Sequence, residues 1–367
     1  MSTGASDREI AAMFHEFAES VSPRAPFCAN IAQAIGDGFG PTVRNLLDYA
    51  PQPQQRPVLL LAAIHYLVLQ HHNTALSQRY PSVTGTPHRA SLDRNELAAD
   101  LHEFCDAYHD EILDLVRTRH TQTNDISRSA LLRLALAQQP VIENSTLIDV
   151  GCSAGLNLHL DAYHCAYTAE NGSWATSAGD TAAPTLHCSV RAEAPPHIEI
   201  GTFAHRIGYD PHPIDVDTDD AMWLLACVWP DQLDRIERLK EAIAWAKAHP
   251  VDLRTADALA ALTEIEAMHD DHLTIVNSWV LSYLSLDNQH SYRQRLEAIG
   301  RRRNLTWVYL EQPSTTPALQ HDEQIARDPQ RSELTAVTRI DWHDGDSHVR
   351  HFGTMHPHGY WFHPSTR

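Results

Sequence analysis

The sequence lacks any apolar run long enough to span a bilayer. Its longest, residues 58–69, holds twelve residues including His65, whereas a transmembrane helix needs about 20. That run reads as a buried helix. Positive charge is also short: 47 acidic against 28 basic side chains leave a formal −19, a field that repels phosphate backbones and anionic lipid instead of releasing their counterions. Neither nucleic acid nor a membrane surface is expected as a partner. The opening MSTGASDREIAAMF has neither the basic start nor the apolar stretch of a secretory leader. Six cysteines, at 28, 105, 152, 165, 188 and 227, never approach a C-x-x-C spacing, so free thiols and a cytoplasmic setting are expected. Among 25 histidines there is no H-E-x-x-H, and no Cys/His set has zinc-finger spacing. No metal site is expected.

What is present is an ordinary globular composition, 43% hydrophobic and 20% charged over 367 residues, enough to bury a large core. The first 140 residues show helical periodicity broken by turn-rich segments at 50–57 and 81–87. Helices are expected at 8–19, 57–70, 97–116 and 125–138, the third from a stripe of Leu97, Leu101, Phe104, Cys105, Tyr108, Ile112, Leu115 and Val116. After residue 145 the pattern changes to short apolar runs, TLIDV, HRIGY, VDL, LTIVN and TWVYL, with a helix at 232–248 between the second and third. Such alternation predicts an α/β domain with a mostly parallel sheet. TAVTRIDW and SHVRHFGTM flank an Asp344-Gly345 turn and predict a C-terminal antiparallel hairpin.

The richest stretch runs from Leu147 to Asn157, LIDVGCSAGLN. A buried strand meets small residues at 151, 153, 154 and 155 and then an expected helix, whose N-terminus would favour an anion. With Asp149 two residues before Gly151, the turn resembles the D/E-x-G-x-G-x-G of class I S-adenosylmethionine-dependent methyltransferases, with Ser153 in place of the middle glycine. Read as Gly151-x-Ser153-x-Gly155, it also forms the nucleophile elbow of an α/β-hydrolase. Plain strand-helix packing is the ordinary structural alternative. An elbow normally follows several earlier strands and an oxyanion loop of the H-G-G-G type, and neither precedes residue 145. The methyltransferase turn follows the first strand, as this one does.

That resemblance assigns cofactor contacts to Asp149, Gly151, Ser153, Gly155 and Asn157. It extends to Gly208-Tyr209-Asp210-Pro211-His212-Pro213, similar to a G-x-D-x-x-P strand end whose acid meets the ribose hydroxyls. Asp210 lies 61 residues after Asp149, where roughly 20 is usual. An insertion at about 165–200, a lid or substrate-facing flap, would account for the excess. Asp257-Ala258 resembles the acid and small residue that hold adenine, although Asp257 also suits a helix N-cap. Asn277 ends the fourth strand, where the catalytic face of such a sheet lies. It is not followed by the N-P-P-Y pattern of enzymes that methylate adenine in nucleic acid. Arg128 could pair with a cofactor carboxylate, or simply open a solvent-facing helix. Low-ranked general bases are His65, within the apolar helix, and His356 or His358 near the C-terminus. Tyr163 reads as packing.

Gln122-Thr123-Asn124 with Arg128, SAGLNL at 153–158 and WLLACVWPDQ at 223–232 together resemble a bacterial family of uncharacterised, methyltransferase-like proteins, over roughly 10–360. The resemblance implies a helical N-terminal domain, about 1–140, covering the active face of a Rossmann-like methyltransferase domain, about 141–367. The function expected is methyl transfer from S-adenosylmethionine to an O or N atom of a small molecule. The rivals are a serine hydrolase using Ser153 with His356 or His358, and a catalytically silent cofactor-binding domain.

Overall fold

The computed structural model describes residues 7–365 apart from 39–42, 44, 53, 88–92, 123, 138–144, 270–271 and 329–332. Two compact units divide the chain: residues 1–123 with 217–240, and residues 124–216 with 241–367. The domain boundary expected at 140 falls outside the described residues.

The first unit is helical among its described residues. It holds α1 (Asp7–Val21), α2 (Pro26–Asp37), α3 (Pro57–Gln70), α4 (Pro81–Thr84), α5 (Arg94–Ala107) and α6 (His109–Thr118), with α8 (Asp220–Ala226) from the later segment. Proline opens α2, α3 and α4, where its fixed φ suits a helix and its missing N–H costs nothing. α3 is the apolar run of 58–69, and its residues from Leu59 to Val68 are all buried. No helix among the described residues is long and apolar enough to cross a membrane. The stripe at 97–116 is not one helix: α5 and α6 are parted at Tyr108, whose φ of −115° and ψ of 26° break the repeat while its ring stacks on His71. The WLLACVWPDQ string is structural glue here. Trp223 Nε1 donates to His120 O, and the Asp231 carboxylate accepts from Phe27 and Cys28 N–H at the start of α2.

The second unit contains α7 (Arg128–Leu136), α10 (Ala258–Glu266), α11 (Leu286–Gly300) and α12 (Glu323–Arg327), with α9 (Leu233–Ala248) leading into its sixth strand. Its strands are β1 (Ser145–Val150), β2 (His164–Ala169), β3 (Ala175–Ala178), β4 (Thr185–Val190), β5 (Phe203–Asp210), β6 (Asp252–Thr255), β7 (His272–Ser278), β8 (Asn304–Glu311), β9 (Thr335–His343), β10 (Asp346–Met355) and β11 (Trp361–Pro364). They form one sheet in the order β3-β2-β4-β11-β10-β9-β8-β7-β1-β5-β6. Strands β6, β5, β1, β7 and β8 are mutually parallel. Along them the chain runs outward from β1 through β5 to β6, then returns to β7 on the other side of β1. In open α/β sheets such a reversal is the point, outside the carboxyl ends of the strands, where ligands are most often bound.

Burial explains why these strands read as continuous apolar runs. Ile148, Leu273, Ile275, Leu305 and Trp307 join one core with Leu262, Ile265, Leu296 and Ile299 of α10 and α11. Their neighbours of opposite pleat, Leu147, Val276 and Val308, are equally inaccessible, as parallel strands covered on both faces require. Strands β9 and β10 form the expected antiparallel hairpin, with His343 opposite Asp346 and positive φ at both Asp344 and Gly345, the backbone that a two-residue Asp-Gly turn demands.

Two expectations are corrected. The segment 165–200 is not a flap: it forms β2, β3 and β4, which extend the sheet beyond β11 through the parallel β4–β11 pair. Nor does an α-helix follow the glycine turn. Only a 3-10 turn, Leu156–His159, separates it from β2, so no helix dipole points at a ligand there.

Candidate functional site

The turn after β1 is built on its neighbour β5. Gly151 and Cys152 N–H both donate to Tyr209 O, at 2.7 and 3.1 Å, and Ser153 N–H donates to Asp210 Oδ2 at 2.9 Å. The other Asp210 oxygen accepts from His212 N–H at 2.8 Å. Asp210 is therefore brought to the glycine turn despite the 61 intervening residues, because the parallel register sets Val150 opposite Tyr209. Ala256 N–H donates to Asp210 O, which places the end of β6 and Asp257 alongside.

The same geometry corrects the role given to the small residues. The first turn amides are spent on β5, and Gly155 N–H on Cys152 O. A Cβ at Gly151 would sit 2.2 Å from the Val280 side chain, and one at Gly155 2.7 Å from Leu253. Both glycines also have positive φ, 86° and 68°. They serve close packing and left-handed backbone, not room for an anion. Ser153 shares that conformation at φ 53°, and its buried Oγ has no hydrogen-bond partner. For a non-glycine residue this backbone carries strain.

Asp149 is 2% exposed on β1. Burial, reinforced by the nearby Asp210 charge, pushes its carboxyl up to about 7. Asn157 Oδ1 accepts from Ser129 Oγ at 2.7 Å. Asp257 is an exposed N-cap, its Oδ1 accepting from Leu259 and Ala260 N–H, while Ala258 packs into the core.

Three candidates leave the ligand set. Asn277 is fully buried: its Nδ2 donates to Val150 O, and its Oδ1 accepts from Tyr292 Oη and Trp307 Nε1. Arg128 offers no open fork, because Nε donates to Pro357 O and Nη1 to Ser278 O and Oγ, with the guanidinium over the Trp279 ring. His65 belongs to the core of the first unit, with Nδ1 donating to Ala226 O and Nε2 2.8 Å from Ser82 Oγ. Burial drops its pKa to about 4. The packing role expected for Tyr163 holds, its hydroxyl donating to Leu156 O.

Two carboxylates at strand ends or beside them escaped the sequence reading. Glu311 closes β8, fully buried, and accepts from the N–H groups of Val280, Leu281 and Ser282 and from Ser282 Oγ. It fixes the loop after β7, where Trp279 holds φ 58°. An acid ending a strongly apolar strand was the available signal. Asp125, 5% exposed, makes a 2.9 Å ion-pair contact between Oδ2 and His358 Nδ1. Nothing in local sequence joins residues 233 positions apart. His356 takes a lesser part, its Nδ1 accepting from His358 N–H. Among the described residues no group of three or more His, Cys, Asp or Glu side chains is placed to hold a metal ion.

These features define an α/β protein with two acids and a strained serine gathered at the switch point of a mostly parallel sheet. The chain belongs to the family described as an uncharacterized protein conserved in bacteria (DUF2332), whose profile matches residues 11–363. No curated protein matches it. Solved structures similar to it include a possible exported protein from Bordetella parapertussis, 15% identical over 90% of this chain and 81% of that one, with a TM-score of 0.25.

Proposed function

We propose that the second unit binds S-adenosylmethionine at the carboxyl ends of β1 and β5 and directs its methyl group to an O or N atom of a small molecule. The observation that carries this reading is the Asp210 carboxylate, seated against the Ser153 amide where the first two parallel strands end. An acid there meets a ribose diol in sheets of this order. Asp257, one strand further out, is adjacent, and the unpartnered Ser153 Oγ leaves a buried hydroxyl for a ligand to satisfy. The missing helix and the spent amides place the weight on carboxylates, not on a backbone anion cradle.

When bound, the sulfonium supplies an activated methyl group. The chain's own contribution is to orient and to exclude water, effects worth several kcal/mol when two reactants are held in line. Calorimetric titration tests the reading, with S-adenosylmethionine and S-adenosylhomocysteine beside NAD and ATP. Affinity for the first pair alone is expected; binding of NAD or ATP with no response to the first pair overturns it.

One observation favours a second reading. Ser153 is a strained residue with an unpartnered hydroxyl in a G-x-S-x-G turn, and a His–Asp pair exists in the same unit. A serine hydrolase would use such parts, yet its elbow needs a helix after the nucleophile, which this turn lacks.

A further inference from the structure

A cleft of about 610 Å3 lies at the amino ends of β7 and β8, the edge of the sheet opposite the glycine turn. Its volume falls within the roughly 300–1,000 Å3 of small-molecule sites. Three turns of the second unit line it: 266–269 after α10, 301–304 between α11 and β8, and Asp344-Gly345 at the tip of the β9–β10 hairpin. Ile299 and Met268 supply its apolar part.

The charge of this cleft is unlike that of the chain around it. Arg301-Arg302-Arg303 is the only run of three basic residues in a sequence of formal −19, and all three line the cleft. Two acids oppose them. The Glu266 carboxylate meets both Arg302 and, at 3.5 Å, Arg295, whose hydrogen bonds and charges, Arg302 first, hold it below the ordinary carboxylate range. Asp344 stands 3.4 Å from His343. Asp270 and Asp271, next after His269 in sequence, lie outside the described residues.

Helix ends account for part of the arginine cluster. Arg302 Nε donates to Ala298 O at 3.1 Å and Arg303 Nη1 to Met268 O at 2.6 Å, as cations beside the carbonyl ends of helices do. They do not account for Arg301. It is exposed, and among the described residues its guanidinium has no hydrogen-bond or ion-pair partner. Arg302 bonds through Nε and Nη2, which leaves the donors of Nη1, because a guanidinium carries five N–H groups. Two adjacent guanidinium groups with different anchors therefore offer separate forks, not one point of converging charge. Such a fork fits a planar carboxylate.

We propose that the cleft binds a small di- or tricarboxylate, one carboxylate on Arg301 and another on Arg302, with its carbon chain against Ile299 and Met268. A long polyanion would lay its remaining charges across an acidic surface, whereas a small one leaves none outside the cleft. The cleft and the glycine turn occupy opposite ends of the strands, so failure at one leaves the other standing.

Calorimetric titration of the full chain with citrate, succinate and inorganic phosphate tests the assignment, at about 0.05 and about 0.5 M salt. Saturable one-to-one binding of citrate or succinate is expected, weaker at the higher salt because exposed charges are screened. Arg301→Gln is expected to lower the affinity about ten- to hundredfold, the scale of one lost charged hydrogen bond. Arg8→Gln removes the same charge from the first turn of α1 in the other unit and should change nothing. Three results each overturn the proposal: no saturable binding of either carboxylate, equal losses in Arg301→Gln and Arg8→Gln, or phosphate bound more tightly than citrate. Should Arg301→Gln fail to fold, the arginine Nε–H resonances of the wild-type chain decide; citrate is expected to shift them, and unmoved resonances overturn the assignment.

Discussion

At the scale of single residues, the turn after β1 makes three expectations measurable. Asp210 holds two backbone amides, so Asp210→Ala loosens the turn, whereas Asp210→Asn keeps the shape and alters the charge. Both are expected to weaken S-adenosylhomocysteine binding, the alanine by about 1–3 kcal/mol, the scale of one lost charged hydrogen bond. Ser153→Gly relieves a positive φ, so cofactor affinity is expected to survive and stability to hold or rise. Fluorophosphonate labelling of wild type that vanishes in this variant would reverse the ranking of the two enzyme readings. Asp149 gives a pH dependence. Its carboxyl is raised by burial to about 7, so the folded chain holds that proton more tightly than the unfolded chain does. Its contribution to stability is full below about pH 4 and is lost as pH rises through 7. Asp149→Asn should leave the melting temperature unchanged at pH 4 and raise it at pH 8, by a free energy on the order of 1–4 kcal/mol.

At the scale of elements, the loop after β7 depends on β8. Glu311 lies in its last position and accepts from three consecutive loop amides, of which that of buried Leu281 would otherwise lose its partner away from water. Burial pushes its pKa up, while those same amides pull it down. Glu311→Ala is expected to cost about 3 kcal/mol, with Glu311→Gln milder, and to speed amide hydrogen exchange at 280–282. The alternative, a loop that stands by itself, predicts unchanged exchange there. Strand and hairpin positions were readable because they rest on local rules: apolar runs for strands buried on both faces, and Asp-Gly for the 344–345 turn. The extra strands β2 to β4 were not, since their polar alternation and short runs look like loop until β11 offers them an edge. The break at Tyr108 was hidden for a related reason, since an apolar stripe persists across two helices packed on a common core.

At the scale of the whole molecule, the formal −19 predicts that gel-shift assays with duplex DNA or RNA show no complex at about 0.1 M salt; a retained complex would remove the small-molecule acceptor from the proposal. The sequence by itself determined the helical start, the parallel strands and the terminal hairpin. Periodicity, turn chemistry and charge act over a few residues and leave their mark in order along the chain. Only the tertiary structure decided which of the polar candidates share a site. Parallel register, a long-range property, brought Asp210 to Ser153 and sealed Asn277 inside the sheet. Packing against Val280 and Leu253 turned two glycines from ligand room into close contacts. The meeting of Asp125 with His358 depends on a chain that travels through the whole second unit before returning, and no local pattern encodes such a meeting because it is stabilised by what surrounds it.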